Sequence, residues 1–170
     1  MNPGDHYFEP CYQAGCIPLE LAMKHSGIEL FRMMIAGELP APPIAKTLNF
    51  TLTEAEEGRA VFRGVPLLDH YNPLGTVHGG WPATLLDSAL GCCVQTVLPA
   101  GTGYTTIEFK VNLVRPLSKD TGEVICEGRL IHRGRTTATS EATIKTASEG
   151  KLIAHGTETC AIFPLAGRGQ

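Results

Sequence analysis

Between Gly79 and Leu98 the chain reads GGWPATLLDSALGCCVQTVL, and apolar or small residues go almost all the way round a helical wheel. This pattern predicts a helix opening at His78-Gly79-Gly80 and running to about Val97, where Pro99 and Gly101 stop it. A helix that is apolar on nearly every side must be wrapped by something else. Downstream the period changes from helical to alternating. In 104–115, Ile107, Phe109, Val111 and Leu113 alternate with Thr106, Glu108, Lys110 and Asn112, the signature of a half-buried antiparallel strand. Segments 122–132, 135–147 and 151–163 continue the pattern, joined by short turns at Arg133-Gly134 and Glu149-Gly150. Upstream, 44–53 and 59–66 read as two strands around a turn at 54–58. Residues 18–37 carry Leu21, Ile28, Phe31, Met34 and Ile35 at helical spacing, with Pro18 at a first-turn position and Gly37 as a stop, and predict one amphipathic helix. Pro40, Pro42 and Pro43 then force an extended connector. One long buried helix and five to six mostly antiparallel strands make an α+β domain, most simply a curved sheet wrapped around that helix. The expected organisation is an N-terminal segment, 1–40, followed by the folded domain, 41–165.

Composition narrows the picture. Charged residues make up 18% of the 170, below the roughly 25% of ordinary soluble domains, which suggests surface buried in an oligomer or a cleft. The net charge of −3, with no basic run, argues against nucleic-acid binding. The six cysteines include no C-x-x-C pair and read as reduced core residues of a cytoplasmic protein rather than disulfides or zinc ligands. The histidines show no metal-ligand spacing, so no metal is expected. No G-x-S-x-G elbow and no Walker or Rossmann glycine pattern occurs. The first residues lack the basic and apolar regions of a secretory signal. Pro82, Asp87, Gln95 and three glycines interrupt the apolar run at 79–98, so a buried helix fits it better than a membrane span.

Asp87 is the only charged residue in that run, nine positions after His78. Charged side chains are rarely buried without compensation, and burial raises a carboxyl pKa. A helix start presents N–H groups without intrahelical partners, and Gly79 and Gly80 let a ligand approach them. Ala83 and Gly91, four residues either side of Asp87, leave space over its carboxylate, and Ser88 is a neighbour that could support it.

Together, Asn72, Gly75, His78-Gly79-Gly80, Asp87, TTIEFKVNLVRPL (105–117), HRGRTTATSEATI (132–144) and GKLIAHGTET (150–159) resemble the hotdog-fold acyl-CoA thioesterases. The closer likeness is to the phenylacetic-acid-degradation (PaaI-like) branch of the 4-hydroxybenzoyl-CoA thioesterase superfamily, over roughly residues 40–163. The resemblance implies hydrolysis of an aryl- or medium-chain acyl-CoA, with coenzyme A part of the substrate and no separate cofactor. It puts carbonyl polarisation on the Gly79 amide, with Gly80 shaping the turn. Asp87 becomes general base or nucleophile, Asn72 an amide facing the site, and His78 a mainly structural member of it. Ser88 or Thr106 would position water, because Gly91 stands where related enzymes commonly carry a threonine. Arg133-Gly134-Arg135, and more weakly Arg115, would meet coenzyme A phosphates through guanidinium forks and an exposed glycine amide. A homodimer or dimer of dimers is implied, with Asp87 of one chain facing the His-Gly-Gly of the other and strand 104–115 as the dimer edge. A non-catalytic acyl-CoA-binding or sensing module is the competing reading, and a hydroxyacyl-thioester dehydratase a more distant one.

Overall fold

The computed structural model describes residues 13–166. Three short helices come first: α1 (Leu19–Lys24), α2 (Gly27–Ile35) and α3 (Pro43–Thr47). The hairpin of β1 (Phe50–Glu56) and β2 (Arg59–Gly64) leads through a long loop to α4 (Gly80–Gln95). Then follow β3 (Thr102–Leu113), β4 (Val124–Arg133), β5 (Thr137–Thr146) and β6 (Leu152–Pro164). The six strands form one antiparallel sheet in the order β1-β2-β4-β5-β6-β3. Helix α4 packs against every strand of it. The expected α+β architecture is therefore present.

The core forms where the apolar faces of α4 and the sheet meet. Leu85, Leu86, Ala89, Leu90, Cys93 and Val94 of the helix lie against Phe50, Val124, Cys126, Ile144, Ala154 and Cys160, all fully buried. Each leucine so buried contributes roughly 1.5–3 kcal/mol. Helix and sheet come very close at Gly128, where a Cβ would lie 2.2 Å from the Ala89 carbonyl oxygen.

Three expectations are corrected. The single helix expected over 18–37 is two, broken at His25, which is extended. The Ser26 backbone N–H and hydroxyl both donate to Glu29 Oε2 at 2.7 Å and start α2 afresh. The Gly27 N–H then reaches the Leu98 carbonyl at 3.0 Å, docking α2 on the end of α4. The first strand begins at Phe50, because Pro43 opens α3 and Asn49 turns the chain in a left-handed conformation (φ 51°). The Asn49 amide holds that turn by donating to the Val65 carbonyl at 2.9 Å. Finally, the apolar side of β3 is not half-buried. A bulge at Ile107 separates Thr106, opposite Cys160, from Phe109, opposite Glu158. Phe109 and Leu113 share the helix-facing side of the sheet but lie on an edge strand, where Leu113 meets the start of α4 at Gly79, and are 41% and 56% exposed.

Among the described residues no helix is long and apolar enough to cross a membrane. Cys93, Cys126 and Cys160 are buried free thiols, Cys92 is half-buried and Cys16 exposed, while Cys11 lies outside the described residues.

Candidate active site

Helix α4 is not wrapped completely. Ala83, Thr84, Asp87, Ser88, Cys92 and Gln95 form a partly exposed stripe along it, at the spacing of one helical face. Asp87 stands in this stripe, half-buried. Its Oδ1 accepts a hydrogen bond from the Thr106 hydroxyl at 3.1 Å. The same hydroxyl oxygen lies 3.1 Å from Oε1 of Glu158. The Cys160 thiol donates to that Oε1 at 2.9 Å. Two carboxyl groups therefore share one threonine hydroxyl.

Glu158 was not expected from the sequence. It is 2% exposed, and its Oε2 has no hydrogen-bond partner among the described residues. Burial pushes its carboxyl up to about 7, and the charge of Asp87 pushes the same way, against the hydrogen bonds of Cys160 and Thr106. The signal was present in β6, where Ala154, Gly156, Glu158, Cys160 and Ile162 all occupy inward, buried positions. Glu158 is the one ionisable acid in that inward series. Of the two carboxyls, Glu158 is the fully buried one and Asp87 the half-buried one. Burial also holds the Cys92 and Cys93 thiols at about 12, so neither is a nucleophile at neutral pH.

At the start of α4 the free donors are used up in turn. The Gly80 N–H donates to His78 Nδ1 at 2.9 Å, and the Trp81 N–H to the His78 carbonyl at 2.9 Å. Pro82 has no N–H, and the Ala83 N–H closes on the Gly79 carbonyl at 3.2 Å. The Gly79 N–H is left without an acceptor among the described residues. Its φ of −58° is ordinary, and a Cβ there would lie 2.9 Å from Leu113 Cδ1, the end of an exposed side chain that can swing aside. At Gly80 a Cβ would lie 3.0 Å from His78 Nδ1. Gly79 borders a cavity of about 310 Å³ with Asn72, Pro82, Leu113 and Arg115.

Other expected residues are engaged elsewhere. Asn72 spans its own turn: its amide donates to Thr76 Oγ1 at 2.9 Å, and its Oδ1 accepts from the Leu74 N–H at 2.9 Å. The Ser88 hydroxyl donates to the Thr84 carbonyl at 2.9 Å rather than supporting Asp87. The Gly134 N–H, expected to be open to a phosphate, closes its turn on the Thr137 carbonyl at 2.8 Å. Arg133 donates to the Val97 carbonyl at 2.9 Å, beyond the C-terminal end of α4, and Arg135 is exposed beside it. The space expected over Gly91 is filled by Tyr104, whose ring and hydroxyl would stand 2.5 Å from a Cβ. On its other side Tyr104 borders a mainly apolar cavity of about 480 Å³ with Ala22, Leu30, Met34, Cys92 and Phe163. The structure thus brings together Asp87 and Thr106, and separately His78, Gly79 and Gly80, with Asn72 across a cavity from Gly79. It leaves the arginine turn at the far end of α4.

A family model described as the thioesterase superfamily matches residues 74–153, the span that holds both clusters apart from Glu158 and Asn72. Human acyl-coenzyme A thioesterase 13 is 26% identical over 111 residues, covering 65% of this chain and 78% of that protein. A relative from Halobacterium salinarum, whose name assigns it provisionally to the esterases, is 30% identical over 108 residues, covering 60% of this chain and 69% of its own length. Among solved structures, a phenylacetic acid degradation-related protein from Ralstonia eutropha superposes with a TM-score of 0.69 at 28% identity, covering 77% of this chain and 98% of its own.

Proposed function

Because this chain belongs to the thioesterase superfamily and is a thioester hydrolase, we propose that it cleaves an aryl- or medium-chain acyl-CoA to the free acid and coenzyme A. The observation that carries the reading is a partly exposed carboxylate on α4 combined with a helix start whose one unengaged N–H is that of Gly79. A thioester carbonyl resting on the Gly79 amide gains a donor aimed at the oxygen where negative charge develops, reinforced by the helix dipole. Such a donor is worth roughly 2.7–4 kcal/mol in a transition state. Asp87 acts on the carbonyl carbon in one of two ways. As general base it takes a proton from water while the water oxygen bonds to that carbon. As nucleophile it forms an anhydride that water then opens. In both, the carbon–sulfur bond breaks and the coenzyme A thiolate leaves, to be protonated. Thr106 steadies the carboxylate. His78 fixes the turn through Gly80. Arg115, beside the Gly79 cavity, and Arg135 offer guanidinium forks to the phosphates of coenzyme A.

Geometry also argues for two chains. Gly79 and Asp87 are eight residues apart on one helix, about 12 Å along its axis, so they cannot both touch one thioester. A second copy paired along the exposed β3 edge would supply the missing half and cover Phe109 and Leu113.

The test is thiol release from a panel of acyl-CoAs. Asp87→Asn is expected to lose at least about 100-fold in turnover while still binding acyl-CoA and keeping its oligomeric state. Full activity in that variant would overturn the reading. Saturable binding of acyl-CoA by the wild type without hydrolysis would mark a binding module. Solvent ¹⁸O entering the Asp87 carboxylate in a single turnover separates the nucleophilic route from the general-base one.

A further inference from the structure

We propose that Glu158 is a positioning residue for Asp87: as a neutral acid it donates to the Thr106 hydroxyl and thereby turns that hydroxyl's proton onto the Asp87 carboxylate. The inference rests on the hydrolase reading of the site and adds to it a residue that the match to the family model does not reach, since that match ends at residue 153.

A threonine hydroxyl carries one proton and can donate once at a time. Thr106 Oγ1 lies 3.1 Å from Asp87 Oδ1 and 3.1 Å from Glu158 Oε1. If both carboxyls were ionised, one contact would set an anionic oxygen against a hydroxyl lone pair. Both contacts are hydrogen bonds only if one carboxyl holds a proton and donates it to Oγ1. Burial decides which one. Asp87 lies on the open stripe of α4, whereas Glu158 is 2% exposed and its Oε2 has no hydrogen-bond partner among the described residues. An ionised carboxylate in such a place needs several donors. Among the described residues Glu158 meets the Thr106 hydroxyl and the Cys160 thiol, both at the same oxygen, and its side-chain hydrogen bond with Asp87 itself favours the protonated form.

Among the described residues, the groups acting on Glu158 do not supply a cation. Asp87, Cys92 and Cys93 act on Glu158 from α4, Tyr104 and Thr106 from β3, and Cys160 from its own strand. Ser140 of β5 stands opposite in the sheet register. Burial raises the thiols and the Tyr104 phenol, so these groups stay neutral near pH 7. The resulting chain runs from the Glu158 O–H to Thr106 Oγ1, and from the Thr106 O–H to Asp87 Oδ1, with the Cys160 S–H on Glu158. Its members polarise one another in the same direction. When Glu158 loses its proton the threonine hydroxyl is drawn back to it. A second negative charge then faces Asp87.

The pH profile of kcat/KM tests this. The wild type is expected to fall about tenfold through a step near neutral pH as Glu158 ionises. Glu158→Gln presents a permanent N–H donor to Thr106. It should stay within about threefold of wild type at pH 6 and lack the step. Persistence of the step in Glu158→Gln, or an equal loss at every pH, would overturn the proposal. A second measurement is independent of turnover: ¹³C-carboxyl NMR of Glu158, its resonance assigned by its absence in Glu158→Gln. Its titration midpoint should fall in Asp87→Asn, which removes the neighbouring charge, and shift in Thr106→Val. A midpoint that ignores both changes refutes the coupling. A wild type that releases no thiol from any acyl-CoA refutes the hydrolase reading instead, with the NMR result standing by itself.

Discussion

Ionising a glutamate at a core position costs free energy, and at Glu158 that cost depends on pH. Its carboxyl is raised from the ordinary 4.5 to about 7. Between those values the folded chain holds a proton that the unfolded chain has released, so stability falls as pH rises. Below 4.5 both states are protonated and nothing is lost; above about 7 the whole penalty, about 3 kcal/mol, is present. Glu158→Gln removes the titration. The difference in unfolding free energy between variant and wild type is therefore expected to grow in the variant's favour across that window, which denaturant melts from pH 4.5 to 8 would measure. Asp87 was legible because one charge in an apolar helix stands out in any register. Glu158 sits in a strand segment with other polar residues, and only the parity of β6 shows that it points inward. In the sequence Ser88 was the candidate neighbour of Asp87, and Thr106 only an alternative to it for positioning water. The strand brings Thr106 across to Asp87, while Ser88 bonds back to its own helix.

At the scale of the elements, the contact of α4 with the sheet positions everything else. Gly128 on β4 lets the Ala89 carbonyl approach so closely that a Cβ would lie 2.2 Å from it. The obstacle is helix backbone, which cannot swing aside as a side chain would. Gly128→Ala should destabilise the fold by about 1–3 kcal/mol or more, seen as a lower midpoint of denaturation, and loosen the register between Asp87 and Thr106. The element types were legible where the period was long, in α4 and in β4 to β6. The break between α1 and α2 depended on Ser26 and Glu29 closing a cap, and the helical turn at Pro43–Thr47 on one first-turn proline. A single side-chain hydrogen bond can overrule periodicity in segments this short.

For the whole molecule, a site divided between two chains makes a prediction that no single-chain site shares. Asp87→Asn removes one half, and Gly79→Pro removes the amide of the other. Each alone should be nearly inactive, yet co-expressed together they should recover about a quarter of wild-type activity. Half of the dimers are then mixed, and each mixed dimer holds one intact site of two. Activity assays on the co-purified dimers, with size-exclusion chromatography to confirm pairing, check this; no recovery would place the site within one chain. By itself the sequence determined the α+β class and the buried helix, and marked two candidate positions, Gly79 at its start and Asp87 midway along it. Those follow from local periodicity, glycine and proline chemistry and a charge out of place, all set by near neighbours in the chain. The tertiary structure alone decided that Asp87 shares a hydroxyl with Glu158, that Tyr104 fills the space at Gly91 and that the apolar side of β3 is open. Each of these depends on strand parity or on contacts between distant segments: Glu158 lies 52 residues from Thr106 along the chain, and only the β3–β6 register makes them neighbours.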